Sequence, residues 1–198
     1  MAPAKKPGKQ PSKQIEALRR RLSETCSRRF RGSMSVFGEG PAPCRVMVIG
    51  KAPGRDETRL GRPFVGKAGS FFVKVLEDAL RLKRENIYIT NVLKIWPNVE
   101  TKRLRTRKPE KDEREFFIPY LMEEIDIIAP DVIIAVGKTA FFALLPDSDF
   151  MAGEWLEFEG RPVMPVYHPS YILRRQKRLD ESVGELRKAL LKVRKKLD

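Results

Sequence analysis

The stretch Val46–Gly69, VMVIGKAPGRDETRLGRPFVGKAG, decides how this chain is read. Its apolar opening has the make-up of a buried strand. Gly50–Gly54, GKAPG, then turns the chain, and a loop of mixed charge leads into a second turn, Gly61–Lys67, GRPFVGK. Glycine and proline in such turns let a backbone come close to a ligand. Phe64 is held between Pro63 and Gly66, outside any regular core element. The arrangement suits a pocket for something flat and polar.

Strand and helix patterns alternate on both sides of this stretch. Apolar runs predict strands over 45–49, 86–92 and 131–137, and a hairpin-like pair, 155–158 and 162–167, around Glu159-Gly160. Helical spacing covers 12–24, with Ile15, Leu18 and Leu22 on one face, and 68–82, with Phe71, Phe72, Val75, Leu76 and Ala79 inward. Further helices are predicted over 111–127, 138–145 and 179–197, while 94–109 reads as a long basic loop. This alternation argues for an α/β fold: three layers, α/β/α, around a central, mostly parallel four-stranded sheet. Ligands of such sheets sit at the carboxyl ends of the strands. Those ends are Gly50–Gly54, Asn91, Gly137 and His168.

The 198 residues are read as a disordered basic tail over 1–11 and one domain over 12–198. With 40 Lys and Arg against 26 Asp and Glu, the net charge is +14. Such an excess on a small domain points to a polyanion, most often nucleic acid. Ribosomal and membrane-surface proteins are the competing classes. No apolar run approaches the roughly 20 residues of a membrane span, and the N-terminus has no apolar signal core. Two cysteines, Cys26 and Cys44, make neither a disulfide framework nor a four-cysteine metal site, so reduced thiols are expected. The expectation is a cytoplasmic, nucleoid-associated monomer with no membrane partner.

Gly61–Lys67 nearly matches a phosphate-binding P-loop, but Ala68 stands where Ser or Thr would hold magnesium, and no strand leads directly into it. His168 is the one histidine, in Tyr167-His168-Pro169-Ser170-Tyr171 just past a predicted strand. It reads either as a packed residue or as a group working at a strand end. Asn91 closes a strand of Ile, Tyr, Thr and Val, where its amide is either a cap or a reader of a ligand's donor–acceptor edge.

Gly50–Gly54, Glu57 and Gly61–Gly69 together resemble the first motif block of the family 4 uracil-DNA glycosylases. Thr90-Asn91-Val92-Leu93-Lys94 is similar to the second block, and His168–Arg174 to the last. Val36–Gly40 is similar to the lead-in of the first strand. The blocks stand in family order from about Val36 to Arg174. The resemblance implies that the domain excises uracil, or another deaminated base such as hypoxanthine or xanthine, from DNA. A non-catalytic DNA-binding relative is the contrasting reading. Two departures stand out. The family's iron–sulfur cysteines are not matched: Arg29 occupies the place three residues after Cys26, and Ile95-Trp96-Pro97 lacks the mid-chain cysteine, so no cofactor is expected. Lys51 stands where the family has an acidic residue, and an amine near a sugar C1′ is a Schiff-base former.

Roles follow from the resemblance. Phe64 would be the stacking floor, Asn91 the reader of the base edge and His168 the donor to the base O2. The backbone of Lys51, Ala52 and Gly54 would add donors. Glu57 would place water or steady the cationic sugar, with Asp56 the alternative. Tyr171, Ile172 and Leu173 would fill the gap left by the flipped base. Lys67, Ser170, Arg174 and the basic loop with Arg103, Arg105 and Arg107 would grip phosphates. No metal is required.

Overall fold

The computed structural model describes residues 11–99 and 105–198. The tail expected over 1–11 lies outside the described residues except for Pro11, which begins the first helix, α1 (Pro11–Arg29). This helix runs past the expected end at Glu24 because Cys26 extends the buried row of Ile15, Leu18 and Leu22 by a further turn.

The sheet is assembled from β1 (Val46–Gly50), β2 (Tyr88–Asn91), β5 (Val132–Val136), β6 (Leu156–Phe158) and β7 (Arg161–Val166). Its order is β2-β1-β5-β7-β6. The first four of these run parallel, and β6 pairs antiparallel with β7. The sheet thus has five strands, not the four expected. The hairpin around Glu159-Gly160 is the cause: β7 enters the sheet beside β5 and carries β6 along as an extra edge strand.

Alternation along the strands splits the core between two faces. Met47, Ile49, Ile133 and Ala135 face α1, α4 (Lys111–Ile128) and α5 (Lys138–Leu144). Val46, Val48, Val132, Ile134 and Val136 face α3 (Lys67–Leu80) and α7 (Leu179–Leu197). Helices therefore cover both faces of the parallel strands, as continuous apolar runs demand. Two short helices, α2 (Arg55–Leu60) and α6 (Pro169–Arg174), sit directly after β1 and β7.

The segment expected as a long basic loop contains a small antiparallel pair, β3 (Asn98–Val99) with β4 (Arg105–Thr106). These strands are two residues each and lack apolar alternation, so no periodicity announces them. Arg107 fastens this hairpin to α4 through a two-pronged ion pair with Glu113, at 2.8 and 2.6 Å.

Candidate active site

The carboxyl ends of β1, β2 and β7 open into one cavity of about 660 Å³, walled by the two Gly/Pro turns, Asn91, His168 and the 106–109 segment. The first wall is set by glycine. A Cβ on Gly50 would stand 2.6 Å from Phe64 Cζ and would also collide with Asn91 Oδ1. Gly50 pairs with Asn91 across β1 and β2, so the missing side chain makes room for both.

Glu57 joins the two turns. Its Oε2 accepts the Gly54 N–H at 3.1 Å, and its Oε1 accepts those of Val65 and Gly66 at 3.2 and 2.8 Å. Asp56 is exposed and makes only a 3.9 Å contact to Arg59. Both carboxylates border the cavity, but Glu57 is committed to bracing it.

Phe64 is buried at φ 55, a left-handed backbone uncommon for an aromatic residue. Two features hold it there. Gly69 packs under its backbone, where a Cβ would meet Phe64 Cα at 2.5 Å. Arg84 donates to the carbonyls of Pro63 and Phe64. Glu39 in turn accepts from Arg84 at 2.9 Å and from Arg62 at 2.8 and 2.9 Å. The hydrogen bond from Arg62 keeps the Glu39 carboxyl below its usual pKa, against the opposing effect of burial.

Asn91 is 3% exposed, and it borders the cavity. Its backbone is held from behind. Lys94, 1% exposed, donates to Asn91 O at 2.7 Å, Thr90 Oγ1 at 2.6 Å and Glu124 Oε2 at 2.7 Å. Glu124 also accepts from Tyr88 at 2.8 Å. Every proton of the buried ammonium has an acceptor, which is the condition for a charge to survive in a core. Sequence reading named Lys94 only as part of a motif and missed Glu124. Its one signal was a carboxylate in the buried phase of α4, between Leu121 and Ile125.

His168 caps α6. Its Nδ1 accepts the Ser170 N–H at 3.2 Å and lies 2.7 Å from Ser170 Oγ. That bond assigns the proton of the neutral ring to Nε2. Burial first, then the cations of Lys51 and Arg174, push the His168 pKa down to about 4. Ser170, expected on a phosphate, instead has its hydroxyl on this ring. Lys51 is half-buried in the same cavity, with its pKa lowered by burial and then by Arg174.

Of the expected DNA contacts, Lys67, Arg105, Tyr171 and Arg174 are exposed, and Leu173 is half-buried. Arg103 lies outside the described residues. Arg107 is engaged with Glu113. Ile172, expected beside Tyr171 in the wedge, is 1% exposed and packs into the core, because a short helix turns one residue in three inward.

A cavity at the strand ends of a parallel sheet, bordered by Asn91 and His168, lies where α/β proteins bind small ligands. Residues 37–193 match the family model described as the uracil DNA glycosylase superfamily. The chain belongs to that superfamily. It is 34% identical over 163 residues to a protein of Thermotoga maritima named type-4 uracil-DNA glycosylase, covering 79% of this chain and 77% of the relative. Proteins of the same name from Archaeoglobus fulgidus (35% identity, 77% of this chain and 79% of the relative) and Saccharolobus solfataricus (32%, 79% and 76%) are similar.

The positions expected to hold an iron–sulfur cluster do not fit one. Arg29 pairs with Asp112 at 3.5 Å and lies over the Phe116 ring. Cys44 points its thiol at the carbonyls of Val46 and Asn86, and burial raises the pKa of both thiols, against the thiolate a cluster needs. Among the described residues no group of three or more His, Cys, Asp or Glu is placed to hold a metal.

Proposed function

We propose that this protein is a DNA glycosylase that takes uracil out of the helix and hydrolyses its N-glycosidic bond, leaving an abasic site. Duplex stacking hides the base edge and C1′, so the nucleotide must be extruded into a pocket. The cavity between Phe64 and the two turns is the place for it. The flipped ring would stack on Phe64, and the Asn91 amide would donate to O4 and accept from N3–H. Cytosine offers the reverse pattern, and a site of buried polar groups rejects the wrong edge by leaving its own groups unpaired.

As the bond lengthens, negative charge moves to the base and positive charge to the sugar. The Nε2–H of a neutral His168 would donate to O2. A preorganised donor of this kind is worth about 3–4 kcal/mol in the transition state. Backbone amides of the Lys51–Gly54 turn add to it. The water that completes hydrolysis would rest on the remaining lone pair of Glu57 Oε2. Tyr171 and Leu173 would occupy the gap in the stack, and Lys67, Arg105 and Arg174 would hold phosphates.

The observation that carries this reading is the meeting, in one cavity, of the recessed Asn91 side chain and a His168 ring whose Nδ1 is taken by the Ser170 N–H, leaving Nε2 as the donor. The test is base release from oligonucleotides carrying uracil, hypoxanthine or xanthine. Uracil should be released, and Asn91→Ala and His168→Ala should each lose most of that activity. Release of hypoxanthine or xanthine in place of uracil moves the specificity. Release of none makes the protein a DNA-binding module.

A further inference from the structure

We propose that Lys51 is a nucleophile toward the sugar of an abasic site, so that this protein also cleaves DNA that has already lost a base. The inference takes from the preceding reading only that a deoxyribose enters this cavity.

Lys51 follows the last residue of β1, and its carbonyl accepts the Leu93 N–H at 3.1 Å. Its backbone is therefore fixed between the first turn and the end of β2. The side chain borders the cavity shared by Phe64, Asn91 and His168, where the nucleotide would lie. Lys51 and Lys94 are used in opposite ways. Lys94 spends its ammonium on three acceptors, one of them a carboxylate. Lys51, among the described residues, has no carboxylate within ion-pair distance and no hydrogen-bond acceptor, and the charge nearest to matter is another cation, Arg174. Burial and that cation both favour the free amine, the form that attacks a carbonyl. The other cavity-lining lysines, Lys67 and Lys108, are exposed to water.

The abasic sugar is in equilibrium with its ring-opened aldehyde. The Lys51 Nζ lone pair adds to C1′, a proton moves from nitrogen to oxygen, and a second proton, taken from solvent, lets the hydroxyl leave as water to give a protonated imine. Loss of a C2′ proton to solvent gives the enamine. Its electrons then form the C2′–C3′ double bond as the C3′–O bond breaks, and the 3′ phosphate departs with the bonding pair. Hydrolysis of the conjugated imine frees Lys51 and leaves an unsaturated aldehyde on the cleaved strand. No oxidant or reductant takes part.

The experiment uses the full chain on oligonucleotides with a preformed abasic site, so base excision is not required. Borohydride, a hydride donor, should reduce the imine to a secondary amine and give a covalent complex whose modified peptide contains Lys51. Lys51→Arg keeps a cation but removes the nucleophile and should lower the yield at least about ten-fold. Without borohydride, strand cleavage at the abasic site should fall in parallel. No complex, a complex mapped to Lys67, Lys108 or the N-terminal amine, or an undiminished yield from Lys51→Arg would overturn the proposal. Uracil release without a complex leaves the glycosylase reading standing alone, and a Lys51 complex without uracil release leaves only the lyase.

Discussion

At the scale of single side chains, the proposed reaction uses a neutral His168 ring as a hydrogen-bond donor to the base. Its pKa of about 4 arises from burial and from the cations of Lys51 and Arg174. The rate of base release should therefore be flat in this group from neutral pH down to about 5, then change as the pH approaches 4. Stability follows the same linkage. Between an unfolded pKa of about 6.5 and the folded value of about 4, the unfolded chain binds a proton that the folded ring refuses. Stability must fall as pH drops through that window, and His168→Gln should flatten that part of a plot of urea midpoint against pH. An unchanged slope would mean that the ring protonates in place. The two carboxylates divide in the same manner. Glu57→Gln replaces one acceptor oxygen by an NH2 group that faces either the Gly54 amide or those of Val65 and Gly66, so it should lower kcat by about ten-fold or more and also lower the melting temperature. Asp56→Asn, with no backbone bonds to lose, should stay within about two-fold in kcat. The opposite order of kcat would assign the water to Asp56.

At the scale of elements, the site consists of strand ends held by partners distant in the chain. The strand ends themselves were legible: Gly50, Asn91, Gly137 and His168 each fall where an apolar run stops at a residue poor for a strand interior. Their supports were not. Lys94 and Glu124 are thirty positions apart, and a charge in the buried phase of a helix says that a partner exists without saying which. The Glu39–Arg84 bond that fixes Phe64 was hidden in the same way, as ordinary surface charge. The β6 strand was legible as half of a hairpin but not as a fifth member of the sheet, and the β3–β4 hairpin escaped because such short strands bury too little to impose alternation. A buried pair of this kind is poor evidence of stability, since apolar residues of similar volume often serve as well. Lys94→Met alone should cost about 3–5 kcal/mol by stranding the Glu124 charge, read from the shift in urea midpoint. The double variant Lys94→Met/Glu124→Leu should recover most of that stability. It should still lose discrimination between uracil and cytosine, because the carbonyl of Asn91 has lost its anchor. A double variant with full discrimination would reduce the network to packing.

At the scale of the whole molecule, a net charge of +14 sets how the protein meets DNA, and among the described residues the structure sorts that charge into exposed and engaged groups. Lys67, Arg105 and Arg174 are exposed, and Lys67 and Arg174 stand on the cavity rim. Arg107 also borders the cavity, yet both prongs of its guanidinium lie on Glu113, which raises the Arg107 pKa and lowers that of Glu113. Each phosphate neutralised by a free cation releases counterions, so the slope of log affinity against log salt should change by about 0.7–0.9 for each such cation removed. Binding of a uracil-containing oligonucleotide by the His168→Ala protein, followed by fluorescence anisotropy from about 50 to 200 mM salt, measures that slope. Lys67→Ala, Arg105→Ala and Arg174→Ala should each reduce it by about one contact. Arg107→Ala should leave the slope nearly unchanged and lower the melting temperature, because it unfastens the β3–β4 hairpin from α4 while removing no phosphate contact. If Arg107→Ala reduces the slope as much as the others, its guanidinium leaves Glu113 for a phosphate when DNA binds, and the hairpin closes on the substrate instead of standing fixed beside it.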